Sequence, residues 1–383
     1  MSSVKLIKKI IFIVISFCFL FTFSFLTACG GSTSTEEVSP VEETVDREIG
    51  AEEEEEEEKE EVVEEEEVAE EEVIYEIAFF SDHGSPASIY TCMPDGSDLK
   101  KVYDSGFDEL EPCWNSEHNK IVFPSNMDGD GDNDLFVIDL TNGEISGLTD
   151  REGYDFHPNY GPDRSVALAG AVVKPEEGNF DILPTAVLLE RKTDRVGCDR
   201  SPNYGPDGSI VFAGYVDNFE IHSTASPIKQ LTDDPAWDGW PHYSPDGKTI
   251  IFTSDRSGYG KLYIMDTEGN NLVQITNSGE WWDRDGTFSP DGKNIVFVSD
   301  RSGNEDIWVM PVDNPDAAVN LTNNPANDVA PDWSPDGSMI VFASDRDAAE
   351  VWMFDIFTMD ANGENQTNIT PDLADSYQDA PSW

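Results

Sequence analysis

Between Asn126 and Leu135 the chain reads Asn-Met-Asp-Gly-Asp-Gly-Asp-Asn-Asp-Leu, placing side-chain oxygens at Asn126, Asp128, Asp130, Asp132 and Asp134. Hard oxygen donors at alternate positions around glycine, ending on a carboxylate, suit Ca²⁺, which takes about six to eight oxygens. A lengthened polar hairpin would use the same residues, and the string is too short for an EF-hand. A second set of carboxylates recurs along the chain, at Phe107-Asp108, Tyr154-Asp155, Cys198-Asp199, Trp237-Asp238, Trp282-Asp283, Asn327-Asp328 and Gln378-Asp379. Several of these stand beside an aromatic ring, a pairing that suits sugars as well as cationic side chains. The alternative is that each Asp serves backbone donors within the fold. The histidines (His83, His118, His157, His222, His242) show no ligand spacing, and only His157 and His242 fall near comparable positions. There is no Gly-x-Ser-x-Gly nucleophile elbow. The residues therefore predict binding rather than catalysis.

The N-terminus carries chemistry of another kind. Lys5, Lys8 and Lys9 precede an apolar run from Ile10 to Phe25, which ends in Leu26-Thr27-Ala28-Cys29. A basic start, an apolar stretch and small residues make a secretory signal, and the last four residues resemble a bacterial lipobox. Residues 1–29 are read as a lipoprotein signal peptide with Cys29 as the lipid site. An uncleaved anchor is the alternative, although the run sits near the lower limit of about 17–25 residues for a spanning helix. Gly30 rather than Asp follows Cys29, so the usual inner-membrane retention signal is absent, which points to the outer membrane or cell surface. Membrane contact is expected through this lipid only.

Residues 30–72 cannot bury a core. Segment 36–72 holds 22 acidic residues against Arg47 and Lys59, and like-charge repulsion keeps such a stretch solvated and extended. It reads as a spacer. Of the formal charge of −55, the first nine residues supply +3 and this segment −20, so −38 remains for residues 73–383. A body this acidic excludes nucleic acid and anionic lipid as surface partners and favours cations, basic proteins or neutral ligands. Beyond Cys18 and Cys29 only Cys92, Cys113 and Cys198 remain, an odd number that sets no disulfide framework.

The carboxylates recur because the chain does. Apolar strands start at Ile77, Ile121, Val166, Ile210, Ile250, Ile295 and Ile340, at intervals of 44, 45, 44, 40, 45 and 45 residues. Before most of them stands an aromatic residue and a turn, most clearly Tyr243-Ser244-Pro245-Asp246-Gly247, Phe288-Ser289-Pro290-Asp291-Gly292 and Trp333-Ser334-Pro335-Asp336-Gly337. In such a turn Pro presets φ, Asp bonds the backbone and Gly accepts positive φ. Each unit continues through a Ser-Asp-Arg-type turn, a second apolar strand, a Gly/Asn turn and a third strand. With the aromatic strand that opens it, that makes four strands in about 45 residues, the size of a propeller blade. No window has helical periodicity.

The string Pro-x-aromatic-Ser-Pro-Asp-Gly, then Ile-Val-Phe-x-Ser-Asp-Arg, then Asp-Ile-Trp-Val-Met and Leu-Thr resembles the WD-like repeat of the TolB propeller family. The resemblance spans Ile77 to Trp383 and is sharpest in repeats five to seven. It implies an all-β, seven-bladed propeller of four-stranded blades over residues 73–383. It also implies that the aromatic strand is innermost in each blade. Repeat one lacks that strand while Ala380-Pro381-Ser382-Trp383 is a surplus one, so the C-terminus should close the ring. TolB itself carries an N-terminal α/β domain and six blades, which argues against a role like its own in envelope assembly. The Asn126–Asp134 loop resembles the Asp-x-Asp-x-Asp-Gly-x-x-Asp loops of calcium-binding propellers. The resulting expectation is a lipid-anchored envelope protein acting as a non-enzymatic binding or scaffold module. Its protein or glycan ligand would sit at the channel mouth over Asp108, Asp155, Asp199, Trp237, Asp238, Trp282, Asp283 and Asp328. The alternatives are a carbohydrate-active, metal-dependent lyase and a TolB-like assembly factor.

Overall fold

The computed structural model describes residues 75–383 apart from 84–85, 151–153, 163–164, 172–179, 185–198, 216–217, 225–227, 348–352 and 374–376. The signal, Cys29 and the acidic spacer lie outside the described residues, as does Cys198.

In repeat five, Asp238–Tyr243 pairs with Thr249–Ser254, which pairs with Lys261–Asp266 and then Val273–Gln274, all antiparallel. The second strand, Thr-Ile-Ile-Phe-Thr-Ser, is buried from Ile250 to Ser254. A sheet covered on both faces needs such an uninterrupted run of β-formers rather than an alternating one. The Pro-Asp-Gly turn that feeds it is tied locally. Asp246 accepts the Lys248 amide at 3.1 Å and the Ser244 hydroxyl at 2.7 Å, and Gly247 takes the positive φ of 67° that the turn requires.

The same unit recurs as blades one to seven. Their first strands are Gln378–Ser382, Cys113–Trp114, Asp155–Tyr160, Asp199–Tyr204, Asp238–Tyr243, Asp283–Phe288 and Asp328–Trp333. From blade two onward these strands lie against one another in succession, so they line the axis. Among the described residues six of the seven sheets have four strands, whereas blade three has three: Asp155–Tyr160, Val166–Ala171 and Phe180–Pro184. Of the expected seven four-stranded blades, six have all four strands among the described residues. In the third repeat only the strand pattern survives in the sequence, and the stretch that would hold its outer strand falls among residues 185–198, outside those described.

Between successive sheets sit seven separate apolar clusters. One of them joins the last blade to the first, packing Val341 and Ile356 against Ile77, Phe79 and Trp383. Gln378–Ser382 pairs antiparallel with Ile77–Ser81, matching Ala78 with Ser382 and Phe80 with Asp379. The C-terminal strand thus becomes the first strand of blade one. That removes the unpaired edge an open sheet would present.

Candidate functional site

In blades five to seven the first strand opens on a buried aspartate, and the Ser-Asp-Arg turn of the same blade closes over it. In blade five Arg256 donates to Asp238 at 2.6 Å and through Nε to Ser254 at 2.8 Å, while its guanidinium stacks on Phe252 and Tyr263. Asp255 in that turn accepts the Trp237 amide at 2.8 Å. Blade six repeats this with Arg301 on Asp283 at 2.6 Å, and blade seven with Arg346 on Asp328 at 2.9 Å. Their turn aspartates, Asp300 and Asp345, accept the Trp282 and Asn327 amides at 2.7 Å each. A planar guanidinium that pairs, donates to a serine and stacks at once is well suited to compensating a buried carboxylate.

Asp155, Asp199, Asp238, Asp283 and Asp328 are all at most 1% exposed. They do not present carboxylates to a visitor; in blades five to seven they hold the mouth together. Burial pushes Asp238 up to about 6, against the pull of Ser254 and Arg256. Asp108, by contrast, is exposed and accepts the Ala87 amide at 3.0 Å. The buried position in blade two belongs to Glu109, which is fully enclosed and bridges to Ser125. In blade one it belongs to Gln378, which donates to Asp355 at 3.1 Å. Sequence reading placed both blades one residue off.

The rings at the mouth remain partly open. Trp237 and Trp282 are half-buried. Trp237 packs against Gly239 and Trp282 against Gly260, so close that a Cβ on either glycine would stand about 2.2 and 2.1 Å from the ring. Trp240 meets Trp237 edge-on at 4.8 Å. In the first strands of blades three to seven the third residue takes positive φ (His157, Ser201, Trp240, Asp285 and Ala330), as does Glu111, which precedes the short first strand of blade two. From blade three on, this residue falls at a break in register between the first and second strands. Such bulges re-aim side chains. Glu111 accepts the His157 amide at 2.9 Å, and Arg284 bonds Glu305 at 2.8 Å while also touching Asp285. Burial lowers the His242 pKa, with Asp285 opposing. Among the described residues neither His157 nor His242 joins a cluster of metal-ligand type.

Such a cluster forms elsewhere on the same face. Asp128, Asp130, Asp134 and Asp150 bring carboxylate oxygens within 4.8 Å of one another. The first two come from the loop between the second and third strands of blade two. Asp134 opens the third strand, and Asp150 lies on the crossover to blade three. Asp132 is not in the group, and its amide leans on Asp130 at 3.4 Å. Asn126 stands at the loop's base with its Oδ1 buried and unpartnered. Asp150, sixteen residues beyond Asp134, was invisible to a reading of the contiguous string.

Asp134 is fully buried; its Oδ1 accepts the Thr149 hydroxyl at 3.0 Å and its Oδ2 has no partner. Burial, with Asp155 and Asp128 nearby, pushes it up to about 7 although Thr149 pulls the other way. An orphaned buried carboxylate oxygen beside three more carboxylates is what a hard cation would satisfy. Two bonds tie the loop to the crossover: Tyr154 donates to the Gly131 carbonyl at 3.1 Å, and the Asp155 amide to the Asn133 carbonyl at 2.7 Å.

The family model described as the TolB beta propeller domain matches residues 283–383. Blades six and seven and the closing strand are TolB-type. Among solved structures, TolB from Acinetobacter baumannii is similar at 23% identity with a TM-score of 0.54. That match covers 81% of this chain but only 66% of that TolB. An oligogalacturonate lyase from Vibrio parahaemolyticus is similar at 14% identity and 0.55, covering 77% of this chain and 84% of the lyase. An oligogalacturonate lyase in complex with manganese matches at 17% and 0.56, covering 77% and 85%. At these identities the likeness is one of fold. No curated protein matches the chain. The TolB-type unit extends by self-similarity into blade five, whose Ser-Asp-Arg turn is bonded as in blades six and seven.

Proposed function

We propose that this chain is an exported, non-enzymatic binding module of the cell envelope, lipid-anchored at Cys29 and held off the membrane by residues 30–72. Its ligand, a protein or a glycan, docks over the channel mouth against Trp237 and Trp282. The observation that carries this reading is the pair of partly open indoles packed closely on Gly239 and Gly260. Rigid rings backed by glycine offer a broad apolar face at little entropic cost, and the buried arginine–aspartate pairs beneath keep their mounts from shifting. The carboxylates act as mounts, which leaves recognition to the rings and to the partly exposed polar groups of the bulges.

Glycan arrays and envelope extracts probed with the full-length chain should yield a ligand. Trp237→Ala combined with Trp282→Ala should weaken it at least about tenfold, the scale of a lost aromatic anchor, without unfolding the ring. Undiminished binding, or a footprint on the Pro-Asp-Gly turns of the opposite face, would sink the reading. Manganese-dependent cleavage of oligogalacturonate would replace it with a lyase.

The second part of the proposal is that Asp128, Asp130, Asp134 and Asp150 hold Ca²⁺, resting on the unpartnered buried oxygen of Asp134. Titration calorimetry on the full-length chain should show a component that disappears with Asp128→Ala plus Asp130→Ala. Weak binding to the glutamate-rich segment would survive those changes, and identical isotherms would mean that the loop binds nothing.

A further inference from the structure

In blades two and four to seven a charged residue stands at the start of the third strand, in register with the last residue of the second strand or, in blade four, with the last but one. The pairs are Ser125 with Asp134, Gly214 with Glu220, Ser254 with Lys261, Ser299 with Asp306 and Ser344 with Asp355. All five residues at this position are buried, and each must settle its charge against the polar residue that opens the next blade.

Blade by blade, the solutions differ. Glu220 accepts the Thr232 hydroxyl at 2.5 Å, the Asn218 amide group at 2.9 Å and the Asp234 backbone amide at 3.0 Å. Asp306 accepts from Asn320 at 2.8 Å and from Thr322 and Asn304 at 3.3 Å each, besides touching Ser302. Asp355 accepts from Asn368 at 3.0 Å and from Gln378 of blade one at 3.1 Å. Blade five places a cation there instead. The Lys261 ammonium, 1% exposed, stands 3.6 Å from Asp283 of blade six, bonds the Trp281 carbonyl and lies 4.9 Å from the Trp281 ring centroid. Of these five, only Asp134 keeps a buried oxygen without a partner, and the residue opening the next blade, Asp155, is another fully buried carboxylate.

We infer that the cation held by Asp128, Asp130, Asp134 and Asp150 is the counter-ion of the seam between blades two and three, occupying the role that the Lys261 ammonium fills between blades five and six. This rests on the cation reading above and adds to it. The ion joins groups from both sides of a single crossover, since Asp134 opens a strand and Asp150 lies on the way to blade three. It offsets the charge of the buried Asp134 carboxylate, whose Oδ2 has no other partner. It also fixes the loop whose Gly131 and Asn133 carbonyls hold Tyr154 and Asp155. Ca²⁺ is therefore expected to govern how firmly blade three is held, and with it that part of the mouth.

The test uses the full-length chain with Ca²⁺ or with EDTA, followed by hydrogen exchange at the Asp155 amide and by the thermal midpoint. With free Ca²⁺ at a hundredfold excess over its dissociation constant, opening of this seam should fall about a hundredfold, while the Asp283 amide between blades five and six stays unchanged. Asp134→Asn removes one of the opposed charges. In EDTA it should match or exceed the wild-type midpoint and should not respond to Ca²⁺. If Asp134→Asn folds poorly, the exposed Asp150→Asn serves: it should fold normally and lose most of the protection. Calorimetric binding at the loop with unchanged exchange at Asp155, or an Asp150→Asn chain protected as fully as wild type, overturns the counter-ion role while leaving the cation site standing. Absence of the loop's binding component overturns both.

Discussion

Blades two and five solve one electrostatic problem with opposite means. In both, a buried residue at the start of the third strand faces the buried carboxylate that opens the next blade. Blade five supplies a covalently attached ammonium, Lys261, backed by Arg301 of the neighbouring blade on the same Asp283. Blade two supplies more acid, Asp134, and recruits Asp128, Asp130 and Asp150 around it. A side chain gives compensation that is always present, whereas a cluster of carboxylates gives compensation that depends on the surroundings. The repeat preserves the geometry and leaves the sign of the charge free, so the ring can be permanent at one seam and conditional at another.

The largest effect is expected where compensation is permanent and singly supplied. Arg346→Ala leaves Asp328 buried with Asn324 still donating to it at 2.7 Å. Stranding a buried charge costs about 3–5 kcal/mol, readable as a lowered urea midpoint, and Arg346→Lys should recover only part of it because lysine cannot also reach Ser344 with an Nε. A loss within the range of surface substitutions would break the comparison, since the arginine would then be ornamental. Lys261→Met should cost less, about 1–3 kcal/mol, because Arg301 still pairs with Asp283. That loss should be the same in Ca²⁺ and in EDTA. Sensitivity of this variant to Ca²⁺ would mean that the two seams are not independent.

The smallest effect is a pH slope away from both seams. Burial pushes Asp332 up to about 6, although the Trp383 and Trp333 amides pull it down. Since its ordinary value is 3.8, the folded chain binds this proton more tightly than the unfolded one. Stability should therefore fall as pH rises from about 4 to about 6 and contribute no further slope above that. Asp332→Asn should flatten the slope over that interval in melts at several pH values, and an unaltered slope would assign it to other carboxylates.

Much of this architecture was legible because each blade repeats its own turn chemistry. Ser244-Pro245-Asp246-Gly247 and its counterparts announce where a first strand ends, and the unmatched Trp383 strand announced the closure that its pairing with Ile77–Ser81 provides. What stayed hidden were partnerships between turns. Ser-Asp-Arg reads as a loop until Arg256 is seen on Asp238, and the conspicuous aspartates then turn out to be supports. Asp108 was taken for the blade-two position because blade two lacks the usual turn and spends Glu109 there. Asp150 was missed and Asp132 included because spacing along a string cannot tell which carboxylates a crossover brings together. Blade three lost its pattern in the very stretch where its fourth strand was expected.

The pairing of Gln378–Ser382 with Ile77–Ser81 also sets a timetable. A chain made from its N-terminus must hold Ile77, Phe79 and Phe80 in waiting while roughly three hundred residues follow. Blades four to seven can assemble from neighbours already present, whereas blade one stays one strand short until the last residues arrive. Long-range pairings of this kind come late and slowly. Until then the molecule is an open arc with a sticky first edge, and a chain cut before Gln378 would stay so permanently.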